Sequence, residues 1–312
     1  MIRAAIAGLG RWGRRLVESA PPELRFVRAI DPDAKGAEYA RSRGLPCSAA
    51  LDEVLADPSV QAVVLATPHS LHREQVVAAA RAGKHVFCEK PLALTLGDAE
   101  AMIAAAREAG VRLAVGHNRR FWPAMRALKA CVDEGRLGTL LHIEGHNSNE
   151  NSNAVAGGWR TLASESPGGG FTGAGLHVLD CFIYLLGPVR RVRAAQLLSY
   201  RAGPPPLDAV SALYEFERGC GGSLATVRAT PFYWRVHVFG HAGSAEVLGE
   251  TRLVLRLAGK EAETIDLPAA DSVRAELEAF ALAVTKGERY PIEEADMRAT
   301  VAAFEATIRA LG

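Results

Sequence analysis

Residues 8–13 read Gly-Leu-Gly-Arg-Trp-Gly, at the end of the apolar run Ile2–Gly8 and opening a segment with helical periodicity through Ala20. A strand, a G-x-G-x-x-G turn and a helix in that order open a βαβ unit of the kind that receives a dinucleotide, and few other folds accommodate the series. Each glycine has its own steric task. Gly8 allows the tight turn, Gly10 lets a pyrophosphate approach the backbone, and Gly13 lets the helix close on the strand. Free N–H groups at the helix start then hold the phosphates. Leu9, Arg11 and Trp12 occupy the positions between and are expected to border the cofactor.

The rest of the first half repeats the alternation. Apolar runs at Leu24–Ile30, Ala62–Ala66, His85–Cys88 and Arg112–Val115 are separated by helical patterns near Asp33–Gly44, Leu51–Ala56, Leu71–Ala82 and Leu96–Ala109. Short strands divided by helices of this length predict a parallel, doubly wound sheet with right-handed crossovers. After about Arg120 the pattern changes. A helix over Trp122–Glu134 and a strand near Leu140–Gly145 precede a polar, glycine-rich loop from Asn147 to Gly170 that carries Asn147, Asn149, Asn151 and Asn153. A helix over Leu176–Leu186 follows, then β-like runs at Val189–Leu198, Ala209–Phe216, Ser223–Ala229, Arg235–Phe239, Ser244–Leu248 and Arg252–Leu257, and helices at Ser272–Val284 and Glu293–Leu311. Turns such as Arg218–Gly222 and His241–Gly243 read as hairpin links. The chain is thus expected to be α/β: a Rossmann domain over 1–121, then an α+β domain over 122–312 with a large, mainly antiparallel open sheet. Strand Arg235–Phe239 carries apolar residues in both phases, which predicts a second copy of the chain, as dimer or tetramer, on the uncovered sheet face.

At 312 residues, two domains of about 150 residues each are a natural count. The balance of 36 basic and 35 acidic residues leaves a formal charge of +1 and no basic stripe, so nucleic acid is not an expected partner. No stretch of about 18 uncharged apolar residues is present, which argues against a membrane span. The five cysteines are scattered and never spaced C-x-x-C, as for reduced thiols of a cytoplasmic protein.

Asp31 closes the second strand, 18 residues after Gly13. A carboxylate there accepts the ribose hydroxyls of adenosine and repels a 2′-phosphate, which favours NAD. Arg11 or Arg14 meeting a phosphate would favour NADP instead, and Asp31 as a mere turn residue before Pro32 is the plain alternative. The loops after the third and fourth main strands, Thr67-Pro68-His69 with His72, and Glu89-Lys90, lie at carboxyl strand ends, where open α/β sheets bind ligands. Lys90 is one of six lysines against 30 arginines. It either pairs with Glu89 at the surface or donates to a substrate oxygen. His69 and His72 are spaced H-x-x-H, but no third ligand is evident and no metal site is expected.

Gly8–Gly13, Asp31, A-T-P-H-S-L-H (66–72), A-G-K-H-V-F-C-E-K-P-L-A (82–93), G-H-N-R-R-F-W-P (116–123), Gly158-Trp159-Arg160, Pro167–Gly170 and Gly175–Asp180 together resemble the Gfo/Idh/MocA oxidoreductases, in that family's order. The resemblance implies an NAD(P)-dependent enzyme that oxidises a secondary alcohol, or reduces a carbonyl, on a sugar, polyol or related molecule. It implies that Lys90, of the E-K-P block, is catalytic or orients the substrate, and that His177, of the G-x-H-x-x-D segment, is the acid/base. An imidazole of ordinary pKa suits removal of a hydroxyl proton, and a nearby ammonium stabilises developing oxyanion charge. Arg120 and Asn118 stand where a substrate or nicotinamide contact is implied, although Arg120 equally suits an anchor at the domain boundary. Trp159 and Arg160 are candidates for substrate binding or loop packing. Asp180 either orients His177, faces the substrate, or bonds a neighbouring backbone.

The chain departs from the family at Gly173, where many members carry an aspartate, and at His69, often an asparagine. The missing carboxylate leaves two other readings open: a relative that oxidises, eliminates and re-reduces a sugar with NAD retained, as a glycosidase or lyase, and a dinucleotide-binding sensor without catalysis.

Overall fold

The computed structural model describes residues 1–150, 158–201, 206–228 and 230–312, which form two compact units. The first contains Met1–Asn118 and Asp271–Arg298, the second Arg119–Ala270 and Ala299–Gly312. In chain order the first unit opens with β1 (Ile2–Ala7), α1 (Arg11–Glu18), β2 (Leu24–Ile30), α2 (Ala34–Ser42), β3 (Cys47–Ser48) and α3 (Leu51–Leu55). It continues with β4 (Ala62–Leu65), α4 (His72–Arg81), β5 (His85–Glu89), α5 (Leu96–Glu108) and β6 (Leu113–Gly116). The six strands are all parallel, in the order β3-β2-β1-β4-β5-β6. The central strands β1 and β4 are buried on both faces, which is why they read as unbroken apolar runs without alternation.

The second unit holds α6 (Pro123–Asp133), β7 (Leu140–Asn149), α7 (Leu176–Leu186), β8 (Val189–Arg201), β9 (Leu207–Phe216) and β10 (Gly221–Arg228). It also holds β11 (Tyr233–Gly240), β12 (Gly243–Leu248), β13 (Arg252–Leu257) and β14 (Glu263–Asp266); after these come α8 (Ser272–Thr285), in the first unit, and α9 (Glu294–Leu311), which the division crosses after Arg298. Strands β7–β14 form one sheet in the order β14-β13-β12-β11-β7-β10-β9-β8, antiparallel except for the β7–β10 pair. Helix α7 lies close on β7 because Gly145 has no side chain, and a Cβ there would stand 2.2 Å from Val178. Trp122 and Trp234 meet edge to face at 4.9 Å, and Phe171 stacks on Phe304 at 5.7 Å, filling the helix-covered side.

Three expectations need correction. The domain boundary falls after Asn118 rather than after residue 121, and α8 belongs to the first unit. Val273, Leu277, Phe280 and Ala281 of α8 join the cluster of Ile2, Leu16, Leu24 and Phe87, so burial of an apolar face, not chain order, decides its place. Strand β7 runs on through Asn149, which puts Asn147 and Asn149 in the sheet and not in a loop; Asn151 and Asn153 lie outside the described residues. The uncovered sheet face is less apolar than strand Arg235–Phe239 suggests. Arg235 at its middle binds Glu144 at 2.9 Å and Glu246 at 2.5 Å, and Arg256 reaches Glu246 at 3.0 Å. Strand β3 has only two residues and β14, Glu263–Asp266, is polar and largely exposed, so neither leaves an apolar run in the sequence. Among the described residues, no helix is long and apolar enough to cross a membrane.

Candidate functional site

In the first unit the strand order reverses between β1 and β4, and the loops leaving both meet there. A crevice at such a reversal, beyond the carboxyl ends of the strands, is where doubly wound sheets take ligands. Gly8 has φ +86°, and a Cβ on it would lie 2.6 Å from the Ala66 carbonyl oxygen, so both the turn and the close approach exclude a side chain. A Cβ on Gly13 would stand 1.8 Å from the Gly8 oxygen. Gly10 differs: nothing lies within 4 Å of its missing Cβ. Gly10 is also the N-cap of α1, with no side-chain cap and no acidic residue in the first turn. An open, uncapped helix start of this kind fits a pyrophosphate.

Asp31 sits at the end of β2 with both carboxylate oxygens engaged. Oδ2 accepts the Leu9 N–H at 2.6 Å and Oδ1 accepts the Asp33 N–H at 2.8 Å. Arg14 is committed elsewhere. Its Nε donates to the Leu9 oxygen at 2.9 Å, its Nη2 to the Lys35 oxygen at 3.1 Å, and its guanidinium lies 4.7 Å from the Tyr39 ring centroid. Arg11 is exposed, whereas Trp12 packs against the unit's apolar cluster.

The loops after β4 and β5 are tied together. Thr67 Oγ1 donates to Gln75 at 2.6 Å, and Pro68 precedes a helical turn that starts at the buried His69. His72 is fully buried, with Nδ1 2.9 Å from the Pro91 oxygen and Nε2 3.2 Å from the Thr67 oxygen. Both ring nitrogens therefore face backbone carbonyls, and His72 braces the Thr67 loop against the turn carrying Lys90. Glu89 is 5% exposed, and its Oε2 accepts the Lys90 N–H at 3.3 Å. Gly116 makes room for Glu89, since a Cβ there would meet Oε1 at 2.7 Å. Scarcity alone does not mark a functional lysine. Lys84 is equally rare, yet its Nζ is buried on the carbonyls of Asp57 and Val60, both at 2.8 Å. Asn118 is 3% exposed and donates to Ser272 Oγ at 3.1 Å, an anchor for α8 rather than an open ligand contact.

In the second unit, His177 is the second residue of α7 and 8% exposed. A π-helical turn, Phe171–Gly175, leads into it, an irregularity found most often at functional sites. Two contacts missed in the sequence hold that turn. Asn147 Nδ2 donates to the Ala174 oxygen at 2.9 Å, and Asp208, paired with Arg228 at 3.0 Å, accepts the Gly170 N–H at 3.1 Å. The run Pro167–Gly170 was the only trace of this anchor: a Cβ on Gly170 would lie 2.6 Å from Asp208 Oδ1. Arg120 and Asp180, each with a substrate contact among its expected roles, bind each other. Arg120 Nη2 donates to Oδ1 at 2.8 Å and Nε to both oxygens at 3.0 and 3.1 Å, with each side chain 1% exposed. Trp159 and Arg160 remain partly exposed on a short helical turn, the guanidinium 4.1 Å from the indole centroid. Gly173 is exposed with nothing within 4 Å of its missing Cβ.

Residues 2–117 match the model of an oxidoreductase family with an NAD-binding Rossmann fold, and residues 125–246 match the GFO/IDH/MocA C-terminal domain. The chain is 41% identical over 153 residues to a 1,5-anhydro-D-fructose reductase of Ensifer adhaerens, covering 49% of this chain and 46% of that protein. It is 29% identical to a 2,7-anhydro-N-acetylneuraminate hydratase of Escherichia coli, covering 83% and 71%. It is 31% identical to scyllo-inositol 2-dehydrogenase (NAD(+)) of Bacillus subtilis, covering 80% and 71%. The chain thus spans about half the length of the first of these relatives. A levoglucosan dehydrogenase solved with NADH and levoglucosan shares the fold at TM-score 0.87 and 24% identity, over 99% of this chain and 96% of that one.

Proposed function

The chain belongs to the Gfo/Idh/MocA oxidoreductases, and from that premise we propose that it is an NAD-preferring dehydrogenase or reductase acting on a secondary alcohol or carbonyl of a sugar, polyol or related carbohydrate derivative. The observation that carries the cofactor choice is Asp31. Its carboxylate lies beside the glycine loop, and the nearest loop cation, Arg14, is spent on two backbone oxygens and an aromatic ring. A 2′-phosphate would meet the negative charge of Asp31, with Arg14 engaged and the exposed Arg11 the loop cation left to meet it. Gly8, Leu9, Gly10, Arg11 and Gly13 hold the pyrophosphate, Thr67, Pro68 and Glu89 border the nicotinamide, and the nicotinamide supplies the hydride chemistry when bound.

Lys90 donates to the substrate oxygen and stabilises its developing negative charge, while His177 takes the hydroxyl proton. Trp159 and Arg160 contact substrate from their loop, whereas Arg120 and Asp180 act only by fixing α7. The named sugar and inositol relatives support the carbohydrate class. The second reading, transient oxidation, elimination and re-reduction with NAD retained, has only weak support from the relative named as a hydratase. A cytoplasmic homo-oligomer, with a second copy on the uncovered sheet face where Leu213 and Tyr233 are about half exposed, completes the reading.

The test is thermal unfolding with NAD, NADH, NADP or NADPH added separately. A ligand specific to the native state at about 100 times its Kd adds about 2.7 kcal/mol. Stabilisation by NAD(H) alone is expected, followed by turnover of sugars or polyols that Lys90→Ala abolishes without weakening NADH binding. Stabilisation by NADP(H) alone, or near wild-type turnover of Lys90→Ala, refutes the corresponding assignment. Net NADH formation separates the dehydrogenase from the recycling enzyme.

A further inference from the structure

We propose that Gly36 is a positioning residue of the adenosine subsite: its lack of a side chain lets the Asp31 carboxylate lie where it selects NAD over NADP. The inference rests on the cofactor preference proposed above. Gly36 is buried within α2, and its φ is not positive, so its backbone does not call for glycine. Alanine is the better helix former there. The space argues otherwise. A Cβ on Gly36 would stand 2.3 Å from Asp31 Cγ, 2.4 Å from Oδ2 and 2.8 Å from Cβ. Oδ2 is the oxygen that accepts the Leu9 N–H. Because even Asp31 Cβ is too close, rotating the carboxylate about its own bond does not relieve the clash.

Moving α2 away has a second consequence. Arg14 donates to the oxygen of Lys35, the residue before Gly36, and its guanidinium lies over Tyr39 of the same helix. Retreat of α2 loosens both contacts and frees a cation beside the ribose position. A methyl at residue 36 thus displaces the anion that rejects a 2′-phosphate and releases a cation that attracts one. Both effects lower the preference for NADH.

The experiment measures Kd for NADH and NADPH by calorimetry on wild type, Gly36→Ala, Asp31→Gly and the double variant, with nucleotide-free thermal unfolding as the check on folding. Glycine at residue 31 removes Cβ as well as the carboxylate, so nothing of Asp31 remains for the methyl to meet. For Gly36→Ala the NADH Kd is expected to rise at least tenfold while that of NADPH stays or falls. If Gly36 acts through Asp31, adding the methyl to Asp31→Gly changes neither Kd, the non-additivity of two residues in one interaction. A wild type without NADH preference overturns the cofactor reading and this proposal with it. A wild-type preference that Asp31→Gly loses and Gly36→Ala keeps overturns the proposal alone, as does an equal loss of both nucleotides. Should Gly36→Ala be too unstable to titrate, the double variant decides. Folding and binding like Asp31→Gly supports the proposal, and unfolding again overturns it.

Discussion

Replacing Asp180 by asparagine removes one charge from a buried ion pair and leaves the shape almost unchanged. Arg120 then retains a guanidinium with 1% of its side chain exposed and no counter-charge from residue 180. Arginine does not escape by losing its proton, since its pKa lies above about 12. Three nitrogen–oxygen contacts of 2.8 to 3.1 Å are weakened, along with the 3.4 Å bond from Thr300 Oγ1 of α9. Breaking one side of a buried pair costs about 3–5 kcal/mol. Replacing both partners together, as Arg120→Met with Asp180→Leu, costs far less, because the desolvation penalty disappears with the charges. Denaturant unfolding followed by tryptophan fluorescence reads this directly, since Trp122 and Trp234 pack together in the same unit. The sum of the single losses should exceed the loss in the double variant by about 2 kcal/mol or more. If Asp180→Asn unfolds within about 1 kcal/mol of wild type yet loses affinity for a sugar substrate, Asp180 faces the substrate and the structural assignment of the pair is wrong.

Two more predictions follow from the same reasoning. Burial, opposed in part by Glu246 and reinforced by Arg235 and Arg256, pushes the His237 imidazole down to about 4 from its ordinary 6.5. The unfolded chain therefore takes up a proton that the folded chain refuses, so stability is full above pH 6.5 and falls as the pH drops toward 4. By pH 5 the loss amounts to about 2 kcal/mol. His237→Asn should flatten this slope in unfolding measured from pH 7.5 to 4.5; His85 and His146, also shifted down by burial, and the carboxyls of Glu246 and Asp271, held low by their partners, contribute to the slope that remains. An unchanged slope refutes it. Gly173→Asp, which supplies the carboxylate that the family resemblance leads one to expect there, should alter stability by about 0.5 kcal/mol or less, because the position is open. A loss above about 2 kcal/mol in the same measurement would mean that the backbone there demands glycine.

The dinucleotide half of this protein was legible in the sequence because its signals are local. Gly8, Gly10, Gly13 and Asp31 are set by the steric and electrostatic needs of one turn and one strand end, and apolar runs buried on both faces announce a parallel sheet wherever they occur. The order of those runs was enough to place Thr67, Glu89 and Lys90 at carboxyl strand ends. What the sequence could not reveal were choices made between residues far apart in the chain. That α8 packs on the first unit depends on an apolar face finding Ile2 and Phe87. That Arg120 and Asp180 neutralise each other depends on burial, which turns two charges into an obligatory pair. That the two ring nitrogens of His72 face the carbonyls of Thr67 and Pro91 depends on the loops after β4 and β5 meeting. Gly36 carries no signal in the sequence, and only the folded chain brings the carboxylate of Asp31 against its missing side chain. Local pattern is written in neighbouring residues, whereas burial, charge pairing and the room left by an absent Cβ exist only after distant segments have come together.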